Sequence, residues 1–517
     1  MKTRLSIVLL SLLTFSLTSC FDDDGNYTYH DVDEITISGI QESYANISYS
    51  GEVLEIDPVV ESNYTDLKYE WSIWEPSKEF GSSGNMTDDT YASEVIGTEK
   101  KLTYPVECPI GRYTIKLKVY SESTGYFATA STRFDVGSEF TRGFYILKET
   151  ADGNTDFDLY VNEDTPIKEN ILTLTRQETL KGKPLFISNV ASHGYLDEAG
   201  DYQGAHTICV TTEEGDLGFY DTNSMLKVHD RSDVLNGGME ADEKPYTAFS
   251  FGASNFFLSS KGTYMSYVYA MMPTSGTFQM HGTGTNGGSQ FVCSDGSYNV
   301  FFWDEQNQCV NVSENIQFGQ VFGTYNNNGF STEGLTCLSC GSNLAVNNAY
   351  FILEGADGKR YLHEVSMSGT DGYFKATRHM ELEPGSKLAN ATEFAVNELT
   401  ASYMYFVYNN QVYVYNLTNY TEEDTPLTLE GIPSDETITY LSYQWQNFNG
   451  DADYNFTHLV VGTQKGDAYR LYMYDLEIGR PSKLVRKIEG NGNMKMCTYT
   501  TSVDFNYNRG DQSSLPN

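Results

Sequence analysis

The chain has 517 residues, with 33 Lys and Arg against 70 Asp and Glu, and a formal net charge of −37 at pH 7. So acidic a chain repels nucleic acid and anionic headgroups, which excludes nucleic-acid binding as its main role and accords with solubility on a crowded surface. The length exceeds what one small core fills, so two or more domains or one large repeat array are expected.

The N-terminus carries the sharpest signal. Lys2 and Arg4 form a short basic segment. Leu5 to Leu17 is apolar but too short to span a bilayer, which takes about 20 residues. Small residues and Cys20 follow. This pattern resembles a bacterial lipoprotein signal, which implies removal of residues 1–19 and lipid on Cys20. The acidic run Asp22, Asp23 and Asp24 resembles the surface-export signal of Bacteroidetes lipoproteins. The plainer alternative is a secretory signal with an incidental cysteine. The resemblance implies an outer-membrane, lipid-anchored protein facing the cell exterior. Residues 20–32 are polar and acidic and read as a lipidated tether. No later segment is apolar for long enough to form a transmembrane helix.

Residues 33–137 read as a run of short strands. Leu67 to Trp74 is an aromatic strand, and Gly111 to Tyr120 alternates with period two, as a half-buried strand does. About 100 residues of this kind around a Trp fit an immunoglobulin-like β-sandwich. The segment Gly111-Arg112-Tyr113-Thr114-Ile115-Lys116-Leu117-Lys118-Val119 resembles the penultimate strand of PKD-type domains. The Asp-Phe-Gly-Asp-Gly continuation of true PKD repeats is missing after Trp71.

From 139 to 508 one unit recurs: a hydrophobic strand, a tight turn usually carrying Gly, and a strand often ending in an aromatic followed by Asp or Asn. Seven copies can be read, with turns at Gly153, Gly215, Gly262, Gly296, Gly358, Asn409-Asn410 and Gly466. Recurrent hairpins with little helical period between them predict a β-propeller. Seven blades are expected, with six or eight admissible because the spacing is uneven and 304–349 could hide a blade. A second pair of β-sandwiches is the competing architecture. Met494 to Thr501 could close the ring onto the first blade, and 509–517 reads as a frayed tail.

Candidate sites are few. Asp152, Asn154, Asp156 and Asp158 alternate, with Glu163 at the twelfth position, in the manner of a calcium loop. Phe157 stands where that loop needs Gly, so a polar hairpin tip is the competing reading. Asn449 to Asp453 is a similar acidic turn. Gly-x-Gly-x-x-Gly at 282–287 is followed by a strand rather than a helix, so a loop is expected there instead of a dinucleotide site. Seven cysteines remain after Cys20, an odd number without a disulfide framework. Cys337 and Cys340 have metal-site spacing but lack partners, so free thiols or one local disulfide are expected. No His-Glu-x-x-His, nucleophile elbow or phosphate loop is present. Hydrolysis of a glycan would need two carboxylates on one sugar, which the sequence cannot single out. Trp445 and Tyr325, the latter in an Asn-rich loop, are the candidate exposed aromatics for stacking on a ligand.

Lipoprotein signal, acidic export run, PKD-like sandwich and propeller-like repeats together resemble the PKD-like family lipoproteins of Bacteroidetes. The resemblance implies an accessory surface lipoprotein associated with SusC/SusD-type importers. It implies capture of oligopeptide or oligosaccharide without catalysis. The alternatives are a propeller glycoside hydrolase or lyase acting on an extracellular polymer, and a purely structural docking subunit.

Overall fold

The structure is a computed structural model. It describes residues 34–47, 52–74, 93–191, 193–200, 202–203, 205–251, 254–267, 276–280, 287–296, 299–314, 321–322, 325–369, 374–446 and 456–501. Cys20, Asp22 to Asp24, most of the 282–287 loop, the 449–453 turn and the C-terminal tail lie outside these residues. The fold is all-β, with one short α-helix, Ile171–Arg176, among the described residues. None of the described helices is long and apolar enough to cross a membrane.

The N-terminal β-region contains a five-stranded sheet. Its order is Ser43–Ile47, Phe127–Gly137, Gly111–Ser121, Leu67–Trp74 and Glu94–Gly97, with the first pair parallel. Two short ribbons accompany it, Thr36–Ser38 with Val59–Glu61 and Val53–Ile56 with Leu102–Pro105. Alternation explains the packing. Tyr113, Ile115, Leu117 and Val119 point inward from one strand and join Leu54, Ile56 and Trp71 in a single core. Trp71 is fully buried, and its indole N–H donates to Glu99 O at 3.0 Å, so its one polar atom is satisfied.

Beyond the N-terminal β-region the described residues form seven successive larger sheets, here I to VII, and one two-stranded ribbon, Tyr195–Leu196 with Tyr202–Gln203. Sheet I pairs Arg142–Glu149 with Thr155–Tyr160 on one side and with the C-terminal strand Asn493–Thr501 on the other. The innermost strands of sheets II to VII are Pro184–Val190, Pro245–Phe251, Val292–Ser294, Leu335–Asn343, Phe394–Val396 and Thr437–Gln446. Each is the first of its sheet except in sheet V, where Tyr325–Asn326 comes earlier and pairs parallel at the outer edge with Phe374–Glu381. Each neighbouring pair of sheets shares a hydrophobic cluster, from Cys209 and Phe257 between II and III to Tyr405 and Tyr472 between VI and VII. The largest cluster joins VII to I and I to II, so the ring closes on itself.

Each hairpin read from the sequence lies in its own sheet, but the fourth is out of phase. Gly296 joins the first and second strands of sheet IV, whereas the other turns join the second and third. The equivalent turn is 305–308, where Gln308 takes φ 52°. Gln308 hid this turn because it lacks the glycine that marks the others. The 304–349 stretch holds the outer strands of sheet IV and, from sheet V, the edge strand Tyr325–Asn326 and the innermost strand Leu335–Asn343.

The aromatic-then-Asp/Asn ending has a local cause. Asp221 accepts from Asn223 N at 2.9 Å, Asp304 from Gln306 N at 3.0 Å and Asn416 from Thr418 N at 2.9 Å. The side chain holds the turn by mimicking one backbone carbonyl, while the preceding aromatic packs in the core.

Candidate functional site

The innermost strands do not enter the ring centre straight. In sheets II, III, V and VII the pairing skips Leu185, Tyr246, Leu338 and Thr439, and in sheet I it skips Lys495. In sheet VI Thr392 N donates to Val407 O while Val407 N donates to Glu393 O, so two residues again face one. A β-bulge kinks its strand and re-aims a side chain. Here the bulges recur at the same end of the ring.

A cavity of about 290 Å³ lies at that end. It is lined by Leu185 and Phe186 of sheet II, Gln290 and Phe291 before the sheet IV strand, and Leu338 to Cys340 of sheet V. Thr392 to Phe394 of sheet VI, Thr439 to Leu441 of sheet VII and Met494 to Met496 of sheet I complete it. Phe394, Tyr440, Leu441, Met494 and Met496 are buried and supply the apolar part of its lining, while most of the surface facing the cavity is polar. The charges in the lining are Glu393 and Lys495. Glu393 is half-buried and Lys495 is exposed at the rim. Burial pushes the Glu393 carboxyl up to about 7, with the Lys495 ammonium opposing that rise. No ion pair or side-chain hydrogen bond joins the two among the described residues.

The ring has a polarity. Asn493 at the cavity end pairs with Glu149, and Thr501 at the other end pairs with Arg142. Arg142 lies 3.4 Å from Glu52 Oε1 of the N-terminal β-region. Ser138 Oγ donates to Thr222 O at 3.0 Å, just beyond the Asp221–Thr207 pair at that same end of sheet II. The N-terminal region therefore packs against the end of the ring opposite the cavity.

A second carboxyl stands at that opposite end. Glu398 is buried, and Trp445 Nε1–H donates to its Oε2 at 2.5 Å. Its Oε1 has no hydrogen-bond partner among the described residues. Burial raises its pKa to about 8, against the lowering effect of the Trp445 bond. Trp445, read from the sequence as an exposed platform, is thus half-buried and committed to Glu398. Tyr325 is likewise half-buried, with its OH 2.8 Å from His363 Nε2. Neither lines the cavity.

Asp152, Asn154, Asp156 and Asp158 do not converge on one point. Asp152 accepts from Asn154 Nδ2 at 2.8 Å. Asp156 accepts from Leu172 N at 2.9 Å and Thr173 Oγ1 at 2.7 Å, capping the short helix. Asp158 is held by Lys148 and Tyr469. Their oxygens are spent on separate partners, and no group of three or more His, Cys, Asp or Glu placed for a metal occurs among the described residues. Cys108, Cys209, Cys293, Cys309, Cys337, Cys340 and Cys497 are free thiols. Cys293, Cys337 and Cys340 share one apolar core.

Glu393 and Lys495 were not singled out by sequence reasoning. Their only local mark is a charge set inside an apolar run, Thr392-Glu393-Phe394-Ala395-Val396 and Met494-Lys495-Met496-Cys497.

A family model described as PKD-like family matches residues 20–184, which covers the N-terminal β-region and the first two strands of sheet I. No curated protein matches. Among solved structures the chain is similar to a quinonprotein alcohol dehydrogenase-like protein from Bacteroides thetaiotaomicron. The identity is 13%, the TM-score 0.37, and the match covers 89% of this chain and 97% of that one. It is also similar to AztD from Citrobacter koseri, at 10% identity and TM-score 0.35, over 83% of this chain and 98% of that one. A DUF4784 family protein from Bacteroides caccae is similar at 8% identity and TM-score 0.30, over 86% and 93%. Likenesses this distant say nothing about what this chain binds.

Proposed function

We propose that this protein is a lipid-anchored, surface-facing accessory binding protein. In this reading the N-terminal region is an immunoglobulin/PKD-like sandwich and the seven sheets are the blades of a propeller. The sandwich holds the propeller away from the membrane, and the propeller presents its central cavity to a nutrient ligand, an oligopeptide or oligosaccharide. Delivery to a SusC/SusD-type importer fits this placement. One observation carries the reading: the cavity lies at the end of the ring opposite the N-terminal region that follows the tether. A hydrolase reading would make Glu393 the general acid. Two-carboxylate hydrolysis needs a second acid, and among the described residues Glu393 is the one carboxylate in the lining, which favours binding.

The test is purification from native membranes with small molecules identified by mass spectrometry. Wild type should carry compounds that a cavity-filling Leu338→Trp variant loses. The same compounds on both proteins would refute the cavity as the binding site.

A further inference from the structure

The cavity offers two opposite charges, and no ion pair joins them among the described residues. Glu393 comes from sheet VI and Lys495 from sheet I, with the sheet VII strand carrying Thr439 between them. A half-buried carboxylate without a direct partner is costly, and a distant ammonium offsets only part of that cost. The volume, about 290 Å³, sits at the lower end of the range for small-molecule sites, about 300–1,000 Å³. Only the end of a long oligomer fits within it. A neutral sugar would leave both charges unanswered, whereas a small zwitterion answers both and can lay an apolar side chain on Phe394 and Met496.

Resting on the binding function proposed above, we infer that the cavity takes a small zwitterion, a free amino acid or a dipeptide. Its ammonium faces Glu393, its carboxylate faces Lys495, and its side chain lies over Phe394 and Met496. The rim position of Lys495 lets the carboxylate end remain nearest solvent.

Calorimetric titration of the full mature chain tests this with L-phenylalanine, Phe-Leu, N-acetyl-Phe-Leu-amide and maltotriose. Phenylalanine or Phe-Leu should bind, and blocking both ends should weaken binding at least tenfold. Glu393→Gln and Lys495→Met should each weaken it by a similar factor, without lowering the melting temperature. Affinity should fall as salt rises, because both contacts are ionic. Equal binding of the blocked peptide overturns the zwitterion assignment. Maltotriose binding that Leu338→Trp abolishes and Glu393→Gln leaves intact also overturns it, while the binding function stands. No binding by any probe, together with no compound lost from the Leu338→Trp protein, overturns both. A native compound that is lost from that variant but lacks an ammonium or a carboxylate overturns the zwitterion alone.

Discussion

Lys148 Nζ lies 2.7 Å from Asp158 Oδ1, with both side chains buried. Lys148 also donates to Asn491 O at 2.8 Å, and Tyr469 OH donates to Asp158 Oδ2 at 2.6 Å. The pair therefore ties the hairpin of sheet I to sheet VII, where the two ends of a chain segment of more than 300 residues meet. Buried charges survive only when fully paired, and here each has an ion partner and further hydrogen bonds. Removing one partner leaves the other uncompensated. Asp158→Asn or Lys148→Met should each destabilise by about 3–5 kcal/mol in denaturant unfolding. The double variant should lose clearly less than the sum, because neither leaves a lone charge. Additive losses would show that the two side chains act independently.

Glu398 gives a pH dependence with a definite sign. Its folded pKa is raised from 4.5 to about 8 by burial. Between those values the folded state holds a proton that the unfolded state has released. Its contribution is fully present below about 4.5 and is lost as pH rises toward 8, at up to about 1.4 kcal/mol per pH unit. Unfolding free energies at pH 5, 6, 7 and 8 should therefore fall with pH more steeply in wild type than in Glu398→Gln. Gln keeps an acceptor for the Trp445 N–H. Parallel curves would mean that Glu398 stays ionised in the folded state.

Asp304 holds the turn between the second and third strands of sheet IV. It accepts from Gln306 N at 3.0 Å, Asn307 N at 2.9 Å and Asn311 Nδ2 at 2.8 Å. Asp304→Ala should cost about 1–3 kcal/mol by stranding those donors, and Asp304→Asn should cost less. A melt in which both variants match wild type would remove the turn from the account of sheet IV.

The anchor and the export run separate by mutation. Cys20→Ala should move the protein from the membrane fraction to the soluble fraction. Replacing Asp22, Asp23 and Asp24 with Ala should leave it membrane-bound but lower its cleavage by protease added to whole cells. Continued anchoring of the first variant contradicts the lipid role of Cys20. Unchanged cleavage of the second contradicts the export role of the acidic run.

Much of the strand content was legible because it depends on local pattern. Alternation in Gly111 to Tyr120 reports a half-buried strand directly, and glycine or asparagine at most of the second hairpin turns marks them in the sequence. Where a turn used Gln308 instead, the reading slipped by one strand. Bulges left no such mark. One extra residue opposite Val407 or Leu147 shifts the phase of the strand, and a phase shift depends on the pairing partner, which lies elsewhere in the chain. That is why Trp445 read as a surface aromatic while Glu393 and Lys495 passed unnoticed.

By itself, then, the sequence determined the all-β class, the repeat of hairpins and the Cys20 motif, all of which rest on neighbours within a few residues, and it offered Met494 to Thr501 as the closing strand. The tertiary structure paired that strand with Arg142–Glu149, and it alone decided that Asp156 and Asp158 serve packing and that a carboxylate and an ammonium about 100 residues apart face one cavity. Ring closure is the physical reason. It brings together the innermost strands of distant sheets, and no local pattern encodes which side chains meet there.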